Sequence, residues 1–128
     1  MPVTYNIDLA SKLIRTTCLR PLTFEEVIGH FRALREDPMC AGYLDVLLDV
    51  TDADTVPVSS QLGAVSAELR ALRKKVQFGV CAVIASRDAM FGMMRVFEVL
   101  AGDSFGVIRV FRGTAEAEAW LALKQGER

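Results

Sequence analysis

The sequence predicts a single α/β domain built on a mixed five-stranded sheet, with the element order β-β-α-β-α-β-α-β-α. Two short β-prone runs open the chain, and helical periodicity then alternates with short apolar runs. No linker, repeat or low-complexity tract interrupts the 128 residues, so residues 1–128 are expected to form one domain. Single helices between strands make βαβ units. We therefore expect a parallel sheet covered by helices, with the first strand antiparallel at its edge.

The two opening strands are expected to form a hairpin. Residues 3–9 (VTYNIDL) alternate in polarity, and residues 12–19 (KLIRTTCL) are rich in β-branched side chains. Only the Ala10-Ser11 step separates the two runs. This spacing favours a short turn and antiparallel pairing.

The first helix has clear start and stop signals. Thr23 followed by Glu26 is a capping-box pattern, which predicts that the helix begins just after Thr23. The Asp37-Pro38 pair ends it, because the residue before a proline disfavours the α conformation. Apolar side chains recur at helical spacing and form one face: Phe24, Val27, Ile28, Phe31 and Leu34.

A buried strand and a second helix follow. Residues 44–50 (LDVLLDV) are typical of a strand covered on both faces. The polar loop TDADTVP then leads to Ser59 and Ser60, either of which would serve as an N-cap. The helix is expected to bury one stripe, formed by Leu62, Val65, Leu69 and Leu72. Its end carries cations that suit the negative end of a helix dipole, namely Arg70, Arg73, Lys74 and Lys75.

Residues 78–85 (FGVCAVIA) are the most strand-like run of the chain, and we expect this strand to be central. Ser86 is expected to cap a third helix that runs to about Ala101. Gly102 is its expected stop.

The last two elements are a strand and a helix. Residues 106–111 (GVIRVF) read as the fifth strand. Thr114 is the expected cap of the final helix, because a threonine hydroxyl accepts from free N–H groups of a first turn. This helix is expected to bury Trp120 and Leu121.

Composition excludes some classes of function. The net charge of −1 and a pI near 5.8 do not match a nucleic-acid-binding domain, which needs a basic excess. The start of the chain lacks the pattern of a signal peptide. No apolar stretch approaches the ~20 residues of a membrane span, so we expect no integral membrane segment and a cytoplasmic protein.

No metal or cofactor site is expected. Asp49, Asp52 and Asp54 occupy a turn where α/β proteins bind ligands, but their spacing does not match a calcium loop. Solvated turn residues are the favoured interpretation. The three cysteines show no metal-binding or disulfide spacing and are expected to be reduced: Cys18 and Cys81 buried, and Cys40 exposed.

Three strings are distinctive: LLDVTDAD after the third strand, FGMMRVFEVL in the third helix and VFRGTAEAEAWL at the end. In these strings and in its element order, the chain resembles the SpoIIAA-like group of bacterial proteins. This group is related to the STAS domain of anti-sigma-factor antagonists and, by fold, to CRAL-TRIO lipid-exchange domains. The resemblance covers nearly the whole chain. It implies the mixed sheet described above and no catalytic signature.

The resemblance also suggests a regulatory phosphorylation site. STAS antagonists are switched at a serine within a pattern like D-S-S-G-L, at the start of a helix. The corresponding stretch here is VSSQLG, which places Ser59 or Ser60 at the comparable position. Val58 and Gln61 replace the acidic residue and the glycine of the pattern. A phosphate there would meet free N–H groups of the first helical turn, although a simple N-cap is the alternative.

The third helix carries more apolar surface than one small core usually covers. Methionine-rich stripes occur at adaptable binding surfaces, whereas ordinary core packing is the alternative for most of these residues. We expect Phe91 and Met94 to provide the excess that meets a partner subunit or an apolar ligand. The full candidate surface is Met90, Phe91, Met93, Met94 and Phe97.

The sequence favours a non-enzymatic, STAS-like binding or regulatory module that acts on a protein partner or as a homodimer. The alternative is a small carrier or sensor of an apolar or lipid-like ligand, for which an apolar pocket of ~300 Å³ or more is expected. An enzyme working at the loop from Asp49 to Ser60 is a third option. His30, the single histidine, has no obvious catalytic partner and is expected near the surface.

Overall fold

The computed structural model describes residues 2–127 and has the predicted element order. The strands are β1 (Val3–Asp8), β2 (Leu13–Leu19), β3 (Gly42–Asp52), β4 (Val76–Ile84) and β5 (Val107–Phe111). The helices are α1 (Phe24–Glu36), α2 (Ser59–Leu72), α3 (Asp88–Leu100) and α4 (Thr114–Gly126). β1 pairs antiparallel with β2, and all other pairs are parallel. The predicted α/β fold with its mixed sheet is therefore confirmed.

The sheet has the simple order β1-β2-β3-β4-β5. Each crossover advances by one strand, and right-handed crossovers of this kind place successive helices on the same face. α1, α2 and α3 accordingly share one core cluster with the sheet, while α4 packs on the opposite face. β4 is an interior strand, paired with β3 on one side and with β5 on the other, and β3 is the middle strand of the five.

Helices cover both faces of the sheet, which explains why its inner strands are buried. On the three-helix side, β2 contributes Ile14 and Cys18 to the larger cluster. On the other side, Leu13, Leu47 and Ile84 pack beneath Ala117 and Leu121 of α4. Burial on both faces matches the near-continuous apolar runs of β3 and β4.

The predicted hairpin and first helix are confirmed. β1 and β2 pair from Val3 opposite Cys18 to Asp8 opposite Leu13, and Lys12 closes the turn with a φ of 54°. Thr23 caps α1 by accepting from the Glu26 backbone N–H at 3.2 Å. Its hydroxyl also donates to the Glu26 carboxylate at 2.9 Å.

The predicted N-caps of α2, α3 and α4 are wrong by one or two residues. Val58 is the N-cap of α2, so Ser59 and Ser60 lie in the first turn. Arg87 replaces Ser86 at α3, and Gly113 replaces Thr114 at α4. The N-cap is the last residue with an extended backbone before the helix begins. Sequence signals locate that boundary only to within one or two residues.

The expectation for Cys40 is also wrong. Cys40 is 0% exposed and belongs to the larger core cluster, as do Cys18 and Cys81. Its backbone N–H donates to Asp37 at 3.0 Å, which folds the turn after α1 back onto the core. Within residues 2–127, no helix combines the length and apolar character needed to cross a bilayer.

Candidate apolar ligand site

A cavity of about 160 Å³ lies between the three-helix layer and the sheet. The β2, β3 and β4 side chains form its floor, including Ile14, Val46 and Cys81. The helices form its roof, with contributions from Phe31, Leu69 and Phe97 among others. An apolar cavity of about 150 Å³ in a protein interior can remain dry and bind benzene. The cavity therefore has the size of a one-ring ligand, smaller than the ~300 Å³ expected for a carrier.

The wall of the cavity is uncharged. Among the described residues that line it, none is an aspartate, glutamate, lysine or arginine. Its polar members are few: Thr16, Thr23, His30, Thr55, Gln61 and the thiols of Cys18 and Cys81. A charged ligand would lose its hydration here without gaining an ion pair, so the site suits neutral molecules.

One end of the cavity lies beneath the carboxyl ends of the parallel strands. The loop after β3 contributes Thr55 and Pro57, and the segment before α1 contributes Leu22 and Thr23. Thr23 and Thr55 are exposed to solvent, so the cavity reaches the surface at this edge. Ligands of open α/β sheets are bound at the same edge.

His30 lies on α1 at the wall of the cavity. Its ring packs edge-on against Tyr5, with the ring centroids 5.3 Å apart, and against Phe31 at 5.4 Å. Its Nδ1 atom is buried and has no hydrogen-bond partner within the described part of the chain. Burial lowers the pKa of His30 to about 4, so the imidazole is neutral at pH 7.

The cysteines at the cavity are poor nucleophiles. Burial, with a smaller contribution from the nearby Asp49 carboxylate, raises the pKa of Cys18 to about 11. Burial also raises the pKa of Cys81 far above its usual range. Both thiols therefore stay protonated at neutral pH and act as small apolar side chains.

The predicted apolar surface of α3 divides into two parts. Met90, Met94 and Phe97 are buried and line the cavity. Phe91 and Met93 are partly buried against the core, and the Arg112 guanidinium lies 4.2 Å from the Phe91 ring centroid. The exposed apolar residues of α3 are others: Val96, Val99 and Leu100.

Ser59 and Ser60 are exposed in the first turn of α2 and lie outside the cavity wall. The side chain of Gln61 accepts from the Val58 backbone N–H at 3.0 Å, which leaves both serine hydroxyls out of the capping contact. Their phosphorylation stays a prediction.

The three aspartates that were expected in one turn are divided by the structure: Asp49 and Asp52 belong to β3, and Asp54 lies in the loop that follows. Asp49 accepts from the Thr51 N–H at 2.9 Å, and Asp52 pairs with Arg20 at 3.3 Å. Asp54 accepts from the Leu22 N–H at 3.2 Å, which ties the loop after β3 to the entry of α1. The Asp54 contact joins two segments that line the cavity, at Leu22 and at Thr55.

A buried carboxylate on the other face of the sheet escaped the sequence analysis. Asp45 is 0% exposed, although it stands in a run that reads as apolar. It accepts from the Val80 N–H and from the Gln125 side chain, both at 2.9 Å. Gln125 also donates to the Ser11 carbonyl at 2.9 Å. Asp45 thus joins β3, β4 and the end of α4, and its role is structural.

The cavity could not be read from the sequence, because its wall gathers side chains from four strands, three helices and three loops. The surplus of large apolar residues on α3 was the only available signal. Neither a scan of protein-family models nor a search of curated proteins finds a match to this chain.

Proposed function

We propose that this protein is a non-enzymatic binding module for a small, neutral, apolar ligand, which occupies the cavity between the three-helix layer and the sheet. The observation that carries the proposal is a void of about 160 Å³ with an uncharged, predominantly apolar wall. Core side chains normally interdigitate with few voids larger than one water molecule. A void of this size therefore leaves the wall short of contacts that a ligand would supply.

The position of the cavity supports the same function. It reaches the surface at the edge where α/β sheets bind ligands, beside the loop that contains Thr55. The resemblance of the sequence to a group related by fold to lipid-exchange domains also favours an apolar ligand. The size of the void favours a single ring or a short chain over a complete lipid.

Methyl NMR with labelled methionine provides a direct test with toluene as the probe. Met90 and Met94 line the cavity, whereas Met93 does not and Met39 is 43% exposed in a turn. We expect toluene to shift the Met90 and Met94 methyl signals, with a dissociation constant on the order of 0.1–1 mM. The signals of Met39 and Met93 serve as internal controls.

Variants that fill the void complete the test. Val65 lines the cavity, so Val65→Leu should weaken toluene binding, and the larger Val65→Phe should weaken it more. Unchanged Met90 and Met94 signals at saturating toluene would show that the void does not accept ligands. Equal shifts of the Met39, Met90, Met93 and Met94 signals would indicate non-specific binding and contradict the proposal as well.

The exposed side of α3 favours a second candidate function, self-association into a homodimer. Val96, Val99 and Leu100 occupy positions i, i+3 and i+4, and Val99 is 81% exposed. Sedimentation velocity over a range of protein concentrations would detect the dimer. Val99→Lys should shift the population to monomer, whereas Leu123→Lys, at a 62% exposed site on α4, should not. A monomer at all concentrations excludes this candidate.

A further inference from the structure

The two edges of the sheet, β1 and β5, differ in how they are covered. At the β5 edge, the Val110 N–H donates to the Glu98 carboxylate of α3 at 3.2 Å, so the preceding helix shields part of that strand. β1 pairs with β2 alone, and within residues 2–127 no group hydrogen-bonds to its other edge. An edge strand with free N–H and C=O groups is a template for pairing with another strand.

The hydrogen-bond pattern identifies the residues that face the free edge of β1. The Leu19 N–H donates to the Pro2 carbonyl oxygen, so Pro2 and every second residue after it turn their backbone groups towards β2. The residues between them, Val3, Tyr5 and Ile7, direct their N–H and C=O groups away from β2. These three residues can therefore pair with a further strand without breaking any hydrogen bond of the sheet.

The β1 sequence is complementary to an antiparallel copy of itself. Residues 3–7 read V-T-Y-N-I, so a copy centred on Tyr5 brings Val3 opposite Ile7, Thr4 opposite Asn6 and the tyrosine opposite its own copy. Each pair then joins side chains of one kind: apolar with apolar, hydrogen-bonding with hydrogen-bonding, and aromatic with aromatic. Cross-strand pairs that match in this way stabilise a sheet.

Charge and register favour the same arrangement. Asp8 is the only charged residue of β1, and in this register it lies opposite Pro2 of the copy, far from the copy's Asp8. Among the antiparallel registers, the one centred on Tyr5 alone places Val3, Tyr5 and Ile7 together in hydrogen-bonded pairs. β1 also lacks the lysine, proline and bulge that commonly keep exposed edges apart.

We infer that β1 is a homodimer interface, in which it pairs antiparallel with β1 of a second copy about a two-fold axis at Tyr5. The product is one continuous ten-stranded sheet, with five strands from each copy. This interface is separate from the exposed apolar residues of α3, because α3 packs beside β5 at the opposite edge of the sheet.

Two double variants that differ at one residue test the interface by sedimentation velocity. Both carry Asn6→Glu, at an exposed position beside Arg15 of β2. Thr4→Glu/Asn6→Glu places carboxylates directly opposite each other across the dimer, and we expect its dissociation constant to rise about tenfold or more. Thr4→Lys/Asn6→Glu places an ammonium group opposite a carboxylate, so its dimer should be at least as stable as that of the wild type.

Amide hydrogen exchange of the wild type locates the contact. The Val3, Tyr5 and Ile7 N–H groups acquire partners only in the dimer, so their exchange should slow as the protein concentration rises. The Asn6 N–H faces β2 in monomer and dimer alike and is the internal control.

Three results would overturn the inference. One is a wild type that remains monomeric at about 1 mM. Another is equal dimerisation of the two double variants. The third is a dimer that Val99→Lys dissociates and Thr4→Glu/Asn6→Glu does not, which would assign the contact to α3. Toluene binding is measured independently of all three, so the proposed ligand-binding function is judged on its own.

Discussion

The Lys75 ammonium group lies against the end of α1 and donates to the Leu34 carbonyl oxygen at 3.0 Å. It also donates to the carbonyl oxygens of Arg35 at 2.7 Å and Asp37 at 3.0 Å. The last carbonyl groups of a helix have no partners within it, and a lysine can satisfy them. The basic residue expected to stabilise the end of α2 therefore caps the neighbouring helix instead.

Replacing Lys75 by methionine should destabilise the fold. The change keeps the length of the side chain and removes all three donors, so we expect a loss of about 1–2 kcal/mol in the free energy of unfolding. Urea titration followed by circular dichroism measures it. Lys74→Met is the matched control, because Lys74 is exposed, and its unfolding midpoint should stay near that of the wild type. Equal midpoints for the two variants would show that the capping contacts contribute nothing.

The neighbouring side chains on β3 leave no space for a side chain at Gly79. A Cβ atom at this position would overlap the Tyr43 hydroxyl and ring and the Asp45 carboxylate. Gly79→Ala should therefore cost about 1–3 kcal/mol, since it displaces a buried carboxylate from its partners. Thermal unfolding provides the measurement.

Gly92→Ala is the control for Gly79→Ala, and we expect it to change the stability in the opposite direction. Gly92 lies on the exposed face of α3, and an added Cβ would have no atom within 4 Å other than those of its chain neighbours and of the nearby helix backbone. Alanine should stabilise the helix there by about 0.5–1 kcal/mol. A neutral Gly79→Ala variant would contradict the crowding around Asp45.

The N-cap of α2 can be improved. Val58 has the extended backbone of an N-cap, with φ −92° and ψ 164°, but its side chain cannot accept a hydrogen bond. Val58→Thr preserves the branched shape and adds an acceptor, so we expect about 0.5–1 kcal/mol of stabilisation. Val56→Thr, at an exposed valine of the preceding loop, should leave the melting temperature unchanged. Equal effects at the two positions would exclude capping as the cause.

His30 should make stability depend on pH. Burial lowers its pKa from 6.5 to about 4 in the folded state, so the unfolded chain binds more protons between these values. The contribution is fully present above pH 6.5 and is lost as the pH falls towards 4. The loss over this range is up to about 3 kcal/mol.

Urea unfolding at pH 7.0, 6.0, 5.0 and 4.5 measures the pH effect, with His30→Leu as the reference. The difference between the two proteins isolates the histidine, because the variant retains all other titrating groups. We expect the wild type to lose stability faster than the variant as the pH falls. Parallel pH profiles would show that His30 is solvated in the folded protein.

Much of the architecture could be read from the sequence. The alternation of periods two and 3.6 predicted all nine elements, and Thr23 with Glu26 and Asp37 with Pro38 marked both ends of α1. These signals are local: they depend on side chains within about one turn of each other. The predicted caps were wrong at α2, α3 and α4, where Val58, Arg87 and Gly113 have the extended backbone of the N-cap.

Local pattern therefore determined the element order, the hairpin and the parallel body of the sheet. The tertiary structure alone decided that Cys40 is buried, that Lys75 caps α1, and that Asp45 is paired with α4. It also decided that α1, α2 and α3 leave a void against the sheet. Each of these features joins residues more than 30 positions apart or depends on how closely whole elements pack. These features depend on how closely the helices pack against the sheet and against one another. No short stretch of sequence encodes that packing.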